Sequence, residues 1–424
     1  MRLALSLLFC GIFSLGFSQT YPYKDAISTL CSPTFAGRGY VNQGNEKAAA
    51  FIAQEFQKIG LQPLKRNNFF QNFSFPVQSF PGVCQFIVGN DTLQPGIDYL
   101  VDPASAGVQT PRQYTLVYCN IKSLYRNVNA FRPCPKDRML VVKTSGFGGD
   151  TNKIMQARLK ELQQFAAVLE ITTNKLTWSV SQTVLPYPAF IAKADKFLSQ
   201  PSTANIQLES VFNPAYKSSN VLAFLPAAEK AKNKPYIVLT AHYDHLGMMG
   251  QNTYFPGAND NASGVGMLLY LAQKLAKERN PNFNYVFIAF SGEEAGLLGS
   301  AYFVAHPLLP LKQIRFLLNT DIMGSGEEGI TVVNATLFKP EFDRLKELNQ
   351  EGSYLTQVKS RGPAANSDHY FFTEKGVPAF FVYTMGPNKN YHDVFDKYEA
   401  LSFAEFEDLA TLFYKFLNSF EPTH

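Results

Sequence analysis

The stretch Tyr236-Ile237-Val238-Leu239-Thr240-Ala241-His242-Tyr243-Asp244-His245-Leu246-Gly247 passes from an apolar run directly into a cluster of imidazoles and a carboxylate. An apolar run without polar alternation describes a strand buried on both faces, the signature of a sheet covered by helices on either side. A strand that ends in His-x-Asp-His delivers metal-capable side chains to the rim of its sheet. That rim is where open α/β sheets bind ligands.

Working outward, apolar strands alternate with helical segments. Strands are predicted at Asn220 to Leu225, Tyr285 to Phe290, Ile314 to Leu318, Ile330 to Val333 and Ala379 to Val382. Helices are predicted from Ser263, after Glu293 and, amphipathically, from Phe403 to Phe416. Alternation of this kind implies an α/β fold with a mixed, largely parallel central sheet flanked by helices. Upstream, Asn45-Glu46-Lys47 opens a helix whose apolar positions are Ala48, Ile52, Phe56 and Ile59, and Gly60 stops it. From about Lys65 the texture becomes β-rich. Short segments such as Cys84 to Val88, Thr115 to Tyr118 and Met139 to Val142 are separated by Gly, Pro and Asn. A helix carrying Ile154, Ala157, Leu159 and Leu162 follows, then a strand at Ala167 to Ile171. The economical organisation is one α/β domain, residues 19–65 and 213–424, interrupted by a β-rich insertion at 66–212.

A chain of 424 residues accommodates such an arrangement. The composition is that of a globular protein, and a net charge of +4 with no long Lys/Arg run gives no argument for a nucleic-acid partner. Arg2 followed by the apolar run Leu3 to Phe17, with Gly16-Phe17-Ser18 before Gln19, predicts a signal peptide over residues 1–18 and export of the remainder. Cys10 follows the bulky Phe9, which argues against a lipoprotein site. No later run is long enough for a membrane span, so no stable membrane insertion is expected. Removal of Cys10 leaves Cys31, Cys84, Cys119 and Cys134, which permit two disulfides in one of three connectivities, with free buried thiols as the alternative.

Five stretches place Asp, Glu or His at a strand end or helix start: His242-Tyr243-Asp244, Asn259 to Gly264, Ser291 to Gly296, Asn319-Thr320-Asp321 and Tyr391-His392-Asp393. Each alone has an ordinary explanation. Asp260 can precede a helix capped by Ser263, and Glu293-Glu294 can favour a helix N-terminus. Their conjunction on one sheet edge is harder to dismiss. Two His and several carboxylates without Cys form the ligand set of hydrolytic Zn²⁺ or a related divalent ion. A binuclear centre needs a bridging carboxylate and a base that is not a ligand. The adjacent Glu293 and Glu294 can divide that labour.

The segments AHYDHLG, GANDNASGVG, SGEEAGLLGS, NTDIMG and YHDVFD, in this order and spacing, resemble the co-catalytic di-zinc aminopeptidase family, which includes glutamate carboxypeptidase-like and transferrin-receptor-like proteins. FAGRGYVNQGNEKAAAFIAQEFQKIGLQPL resembles the helix before that family's catalytic core. The likeness covers residues 31 to 63 and about 215 to the end. It implies a zinc-exopeptidase fold holding two zinc ions: His242 and Asp321 on one, Glu294 and His392 on the other, Asp260 bridging. Glu293 matches the family's general base, and Asp244 matches an acid that orients His242 through its other ring nitrogen. Tyr391 matches a position where some members stabilise the oxyanion, and His245 is left as a bystander. The middle section, DRMLVVKTSGFGGD through AAVLEI to YPAFIAKADKF, is similar to a protease-associated domain, which implies a substrate-access wall or a packing module. Arg361 and Asn366-Ser367-Asp368-His369 are further candidates for shaping a substrate pocket, although a capped helix from Asn366 explains the same residues.

The implied activity is that of a secreted zinc aminopeptidase acting on peptides with a free N-terminus. Alternatives are a glutaminyl cyclase-like acyltransferase with a single zinc, or a receptor-like binding protein without catalysis. The sequence leaves the oligomeric state open.

Overall fold

A computed structural model describes residues 20–65, 68–119, 137–143, 166–229 and 234–421. The expected signal peptide, the helix over Ile154 to Leu162 and Cys134 lie outside the described residues.

A nine-stranded mixed sheet forms the frame. At its centre four strands run parallel, in the spatial order Asn284–Phe290, Tyr236–His242, Ile314–Thr320 and Ala379–Met385. Antiparallel strands complete both sides, Val211–Leu225 against Asn284–Phe290 and Gly329–Val333 against Ala379–Met385. The central strands are mainly apolar because both faces are covered. Leu239, Phe287, Phe316 and Leu318 point into a core shared with the helices Tyr23–Leu30, Gly44–Ile59, Gly264–Lys277 and Phe406–Asn418. Val238, Val286, Ile288 and Leu317 point to the other face and meet Phe303 and Phe372 of the helices Leu298–Ala305 and His369–Glu374.

The chain crosses from Tyr236–His242 to Asn284–Phe290 on one side, then returns to Ile314–Thr320 on the other. This reversal creates a crevice at the carboxyl ends of the strands. His242 and Asp321 flank it, at the ends of adjacent strands.

A second, eight-stranded sheet is built within residues 84–208. Phe70–Ser79, which the sequence reading assigns to the insertion, instead pairs with Val211–Leu225 in the main sheet. The β texture is real, but this strand's alternating inward residues Phe73, Phe75 and Val77 pack with Tyr40, Tyr216 and Ala295 of the main domain. The core of the second sheet takes in Leu246, Met249, Phe255 and Val394 from the main domain, with Trp178 stacked on Phe255 at 4.7 Å.

Of the two arrangements the cysteines leave open, free thiols hold at Cys31 and Cys84. Cys31 is sealed in the main core, where burial pushes its thiol up to about 12. The Cys84 thiol lies 3.3 Å from the Tyr99 hydroxyl within the second sheet.

Candidate metal centre

His242 closes its strand, Asp321 follows the next, and Glu293 and Glu294 sit in the turn after Asn284–Phe290. Asp260 lies in the irregular turn Ala258–Ser263 that enters the helix Gly264–Lys277. His392 comes from the loop after Ala379–Met385. The structure brings all six side chains to one point. Asp260 stands at its centre: one carboxylate oxygen is 3.3 Å from His242 Nε2 and the other is 3.0 Å from His392 Nε2. Asp321 Oδ2 lies 3.4 Å from His242 Nε2, and Glu294 Oε2 lies 3.1 Å from His392 Nε2. Glu293 is further out, 4.0 Å from His242 Nε2.

The tautomers follow from the other ring nitrogens. His242 Nδ1 lies 3.1 Å from the Asp244 carbonyl, and His392 Nδ1 lies 2.9 Å from the Trp178 carbonyl. A carbonyl only accepts, so each Nδ1 bears the proton. In the neutral ring, Nε2 then presents its lone pair to the carboxylates, the arrangement a metal-binding imidazole requires.

The carboxylates are held by backbone amides and hydroxyls. Asp244 accepts the Tyr40 hydroxyl at 2.5 Å and the amides of Glu293 and Glu294 at 3.2 Å each. Its carboxylate therefore shapes the Glu293-Glu294 turn. Asp244 meets His242 Nδ1 through its carbonyl at 3.1 Å, with its carboxylate further off at 3.8 Å. Asp321 Oδ2 accepts the Ser367 hydroxyl, which in turn accepts from Asn319. His245, left as a bystander by the sequence, places Nδ1 2.7 Å from Glu294 Oε1. The Tyr391 ring stacks on the His392 ring at 3.9 Å and is about half exposed. Arg361 turns away to the Tyr383 hydroxyl, and a helix does begin near Asn366, but only at His369.

Two residues that sequence reasoning missed support Asp260. Asp396 accepts the amides of Asn259 and Asp260 at 2.9 and 3.0 Å. Arg38, fully buried, donates to the carbonyls of Tyr243, Leu30, Pro256, Gly257 and Asp260. Both stand inside quoted motifs, YHDVFD and FAGRGY, so their position was a signal, but their contacts are to distant backbone.

Electrostatically the cluster needs cations. Burial pulls the imidazoles of His242 and His392 down. The carboxylates around them outweigh it, raising His242 well above its usual range and His392 to about 11. Burial also opposes charge on Asp260, yet the two imidazoles hold it well below the usual carboxylate range. Glu294 falls to about 2 in the same way, against burial, because of His392. Glu293 rises well above normal through burial and the neighbouring acids. Asp321 Oδ1 is buried with no hydrogen-bond partner. Among the described residues, the ion-pair partners of this cluster are imidazoles and not Lys or Arg. Buried acids that share two imidazoles and leave an oxygen unpartnered fit divalent cations. Two groups are close enough to hold a cation, His242 with Asp260 and Asp321 on one side and His245 with Asp260 and Glu294 on the other, and His392 lies beside the second.

An α/β sheet bearing this cluster at its carboxyl edge defines a metallohydrolase. Residues 220–417 match the family model described as Peptidase family M28. The chain is 28% identical over 370 residues to Aminopeptidase YwaD of Bacillus subtilis, covering 85% of this chain and 74% of that one. A probable zinc metalloprotease of Pyricularia oryzae is 40% identical over 111 residues, 26% of this chain and 22% of the relative. The solved structure of BSAP, a zinc aminopeptidase from Bacillus subtilis, has the same fold: TM-score 0.70 and 20% identity over 93% of each chain. Residues 220–417 are similar to peptidase family M28, and the similarity to an aminopeptidase extends over most of the chain.

Proposed function

We propose that the protein is an exported zinc aminopeptidase that removes N-terminal residues from peptides with two metal ions and Glu293 as general base. The observation that carries this reading is the position of Asp260, whose two oxygens face two different imidazoles at 3.3 and 3.0 Å. A carboxylate so placed can bridge two ions. His242 and Asp321 would hold one zinc and Glu294 and His392 the other, with His245 steadying Glu294. Bound zinc supplies Lewis acidity toward the scissile carbonyl and lowers the pKa of water toward about 7.

The chain's own residues do the rest. Glu293, adjacent to the cluster but outside its closest contacts, accepts a proton from the attacking water and returns it to the departing amine. Asp244 holds the Glu293-Glu294 backbone so that one carboxylate meets metal and the other faces the water. The Tyr391 hydroxyl donates to the oxyanion that develops on the former carbonyl oxygen. The β-rich insertion, similar to a protease-associated domain, walls one side of the site. Export follows from the N-terminal segment, residues 1–18.

The test is a panel of aminoacyl chromogenic substrates hydrolysed by the zinc-loaded protein and by Glu293→Gln. The reading predicts cleavage by wild type and a loss of roughly 10²–10⁴-fold in kcat in the variant. Glutamine cyclisation with one zinc and no aminopeptidase activity contradicts it. So does equal activity in the two proteins.

A further inference from the structure

One loop of the insertion touches His392 itself. After the strand Ala167–Thr172, the chain runs across the mouth of the site. Trp178 and His392 exchange two hydrogen bonds: the Trp178 amide donates to the His392 carbonyl at 2.9 Å, and His392 Nδ1 donates to the Trp178 carbonyl at 2.9 Å. Three residues earlier, Lys175 Nζ lies 2.6 Å from the buried Asp393 carboxylate and donates to the carbonyls of Lys389 and Tyr391 at 2.7 and 3.1 Å. These contacts grip the His392 loop on both sides of the imidazole. Further along, Gln182 Nε2 donates to the Ala295 carbonyl at 2.7 Å, next to Glu294.

The loop it grips needs gripping. His392 has φ +54°, the left-handed region that a residue with a Cβ rarely adopts without support. The support has one anchor in the insertion, where Trp178 Nε1 donates to the Val101 carbonyl at 2.8 Å, and one in the main domain, where the indole stacks on Phe255.

We propose that Lys175 and the Trp178 backbone are positioning elements for His392, so that the insertion completes the second metal site by setting the tautomer and the backbone of one ligand. This rests on the two-zinc reading above. A hydrogen-bonded partner behind a metal-binding imidazole typically governs metal affinity by 10–100-fold. The first site, at His242 and Asp321, has its own support from the Asp244 carbonyl and Ser367 and is independent of Lys175.

The experiment is a competitive zinc titration of the full chain against a chromogenic chelator, for wild type, Lys175→Met and Lys175→Arg, with the melting of each apoprotein measured in parallel. Removing Lys175 leaves the buried Asp393 carboxylate without its ion pair, so the apo melt is expected to fall, and zinc affinity is read at a temperature where all three apoproteins are folded. The expected result is one of two zinc equivalents weakened roughly 10–100-fold in Lys175→Met, the other unchanged, and much of the loss restored in Lys175→Arg. If Lys175→Met does not fold, Asp393→Asn, which keeps the shape and removes the charge, gives the same reading. Two equivalents bound as in wild type, or both weakened alike, overturn the proposal. A wild type that binds fewer than two equivalents contradicts the two-zinc reading itself, which separates the two failures.

Discussion

At the scale of single residues, Arg38 shows how much of this site rests on groups that touch no metal. Among the described residues its fully buried guanidinium forms no ion pair, and its donors meet five carbonyls, two of them at Gly257 and Asp260. Arg38→Met strands those acceptors away from water, at about 1–3 kcal/mol for each one left unsatisfied. Chemical denaturation is expected to show a loss of roughly 3 kcal/mol or more, and a change under about 1 kcal/mol contradicts the role. Cys31 gives a second prediction. Its raised pKa keeps it in the thiol form, and the thiolate is the reactive species. A thiol reagent at pH 8 should leave Cys31 untouched in the folded protein and label it after denaturation. Rapid labelling of the native state refutes its burial.

At the scale of elements, the helix Gly264–Lys277 is set against the strand Ile314–Thr320 with no space to spare. A Cβ on Gly264 would lie 2.6 Å from the Thr320 carbonyl and 2.1 Å from Asn261 Oδ1. Gly264→Ala must therefore push the helix start away from the residue that precedes Asp321. An overpacking cost of about 1–3 kcal/mol and weakened zinc binding are expected, read by denaturation and by chelator competition. Wild-type values for both contradict that packing.

The same elements show why part of the fold was legible. Tyr236–His242 and Asn284–Phe290 are buried on both faces, so their apolar runs identify them without tertiary knowledge. The helix predicted right after Glu293 starts only at Leu298, because the intervening turn is tied down by the Asp244 carboxylate and by hydrogen bonds from Leu297 and Leu298 back to Glu293 and Gly292. The helix Lys339–Gly352 was not anticipated. It is largely polar and buries only Phe342, Leu345, Leu348 and Asn349. The acids and imidazoles of the cluster were visible as strand-end residues. Arg38, Asp396 and Lys175 were not, since they act on backbone atoms up to more than 200 residues away.

At the scale of the whole molecule, the insertion and the main domain share a core. Leu246, Met249, Phe255 and Val394 of the main domain pack among residues of the second sheet, and Trp178 closes the contact. Two parts that complete one another's cores should unfold together. Calorimetry is expected to show one transition in the apoprotein, and Trp178→Ala is expected to lower stability by about 3–5 kcal/mol. Two well-separated transitions contradict the shared core. The same coupling lets an insertion in the chain's first half reach His392, proposed above as a metal ligand, near its end.

Everything proposed for the site turns on Asp260 bridging two zinc ions. Anomalous diffraction at the zinc edge from zinc-soaked crystals tests it most directly. Two peaks are expected about 3.5–4 Å apart, one beside His242 and Asp321, the other beside Glu294 and His392, with the Asp260 carboxylate between them. A single peak, or a pair that does not flank Asp260, contradicts it.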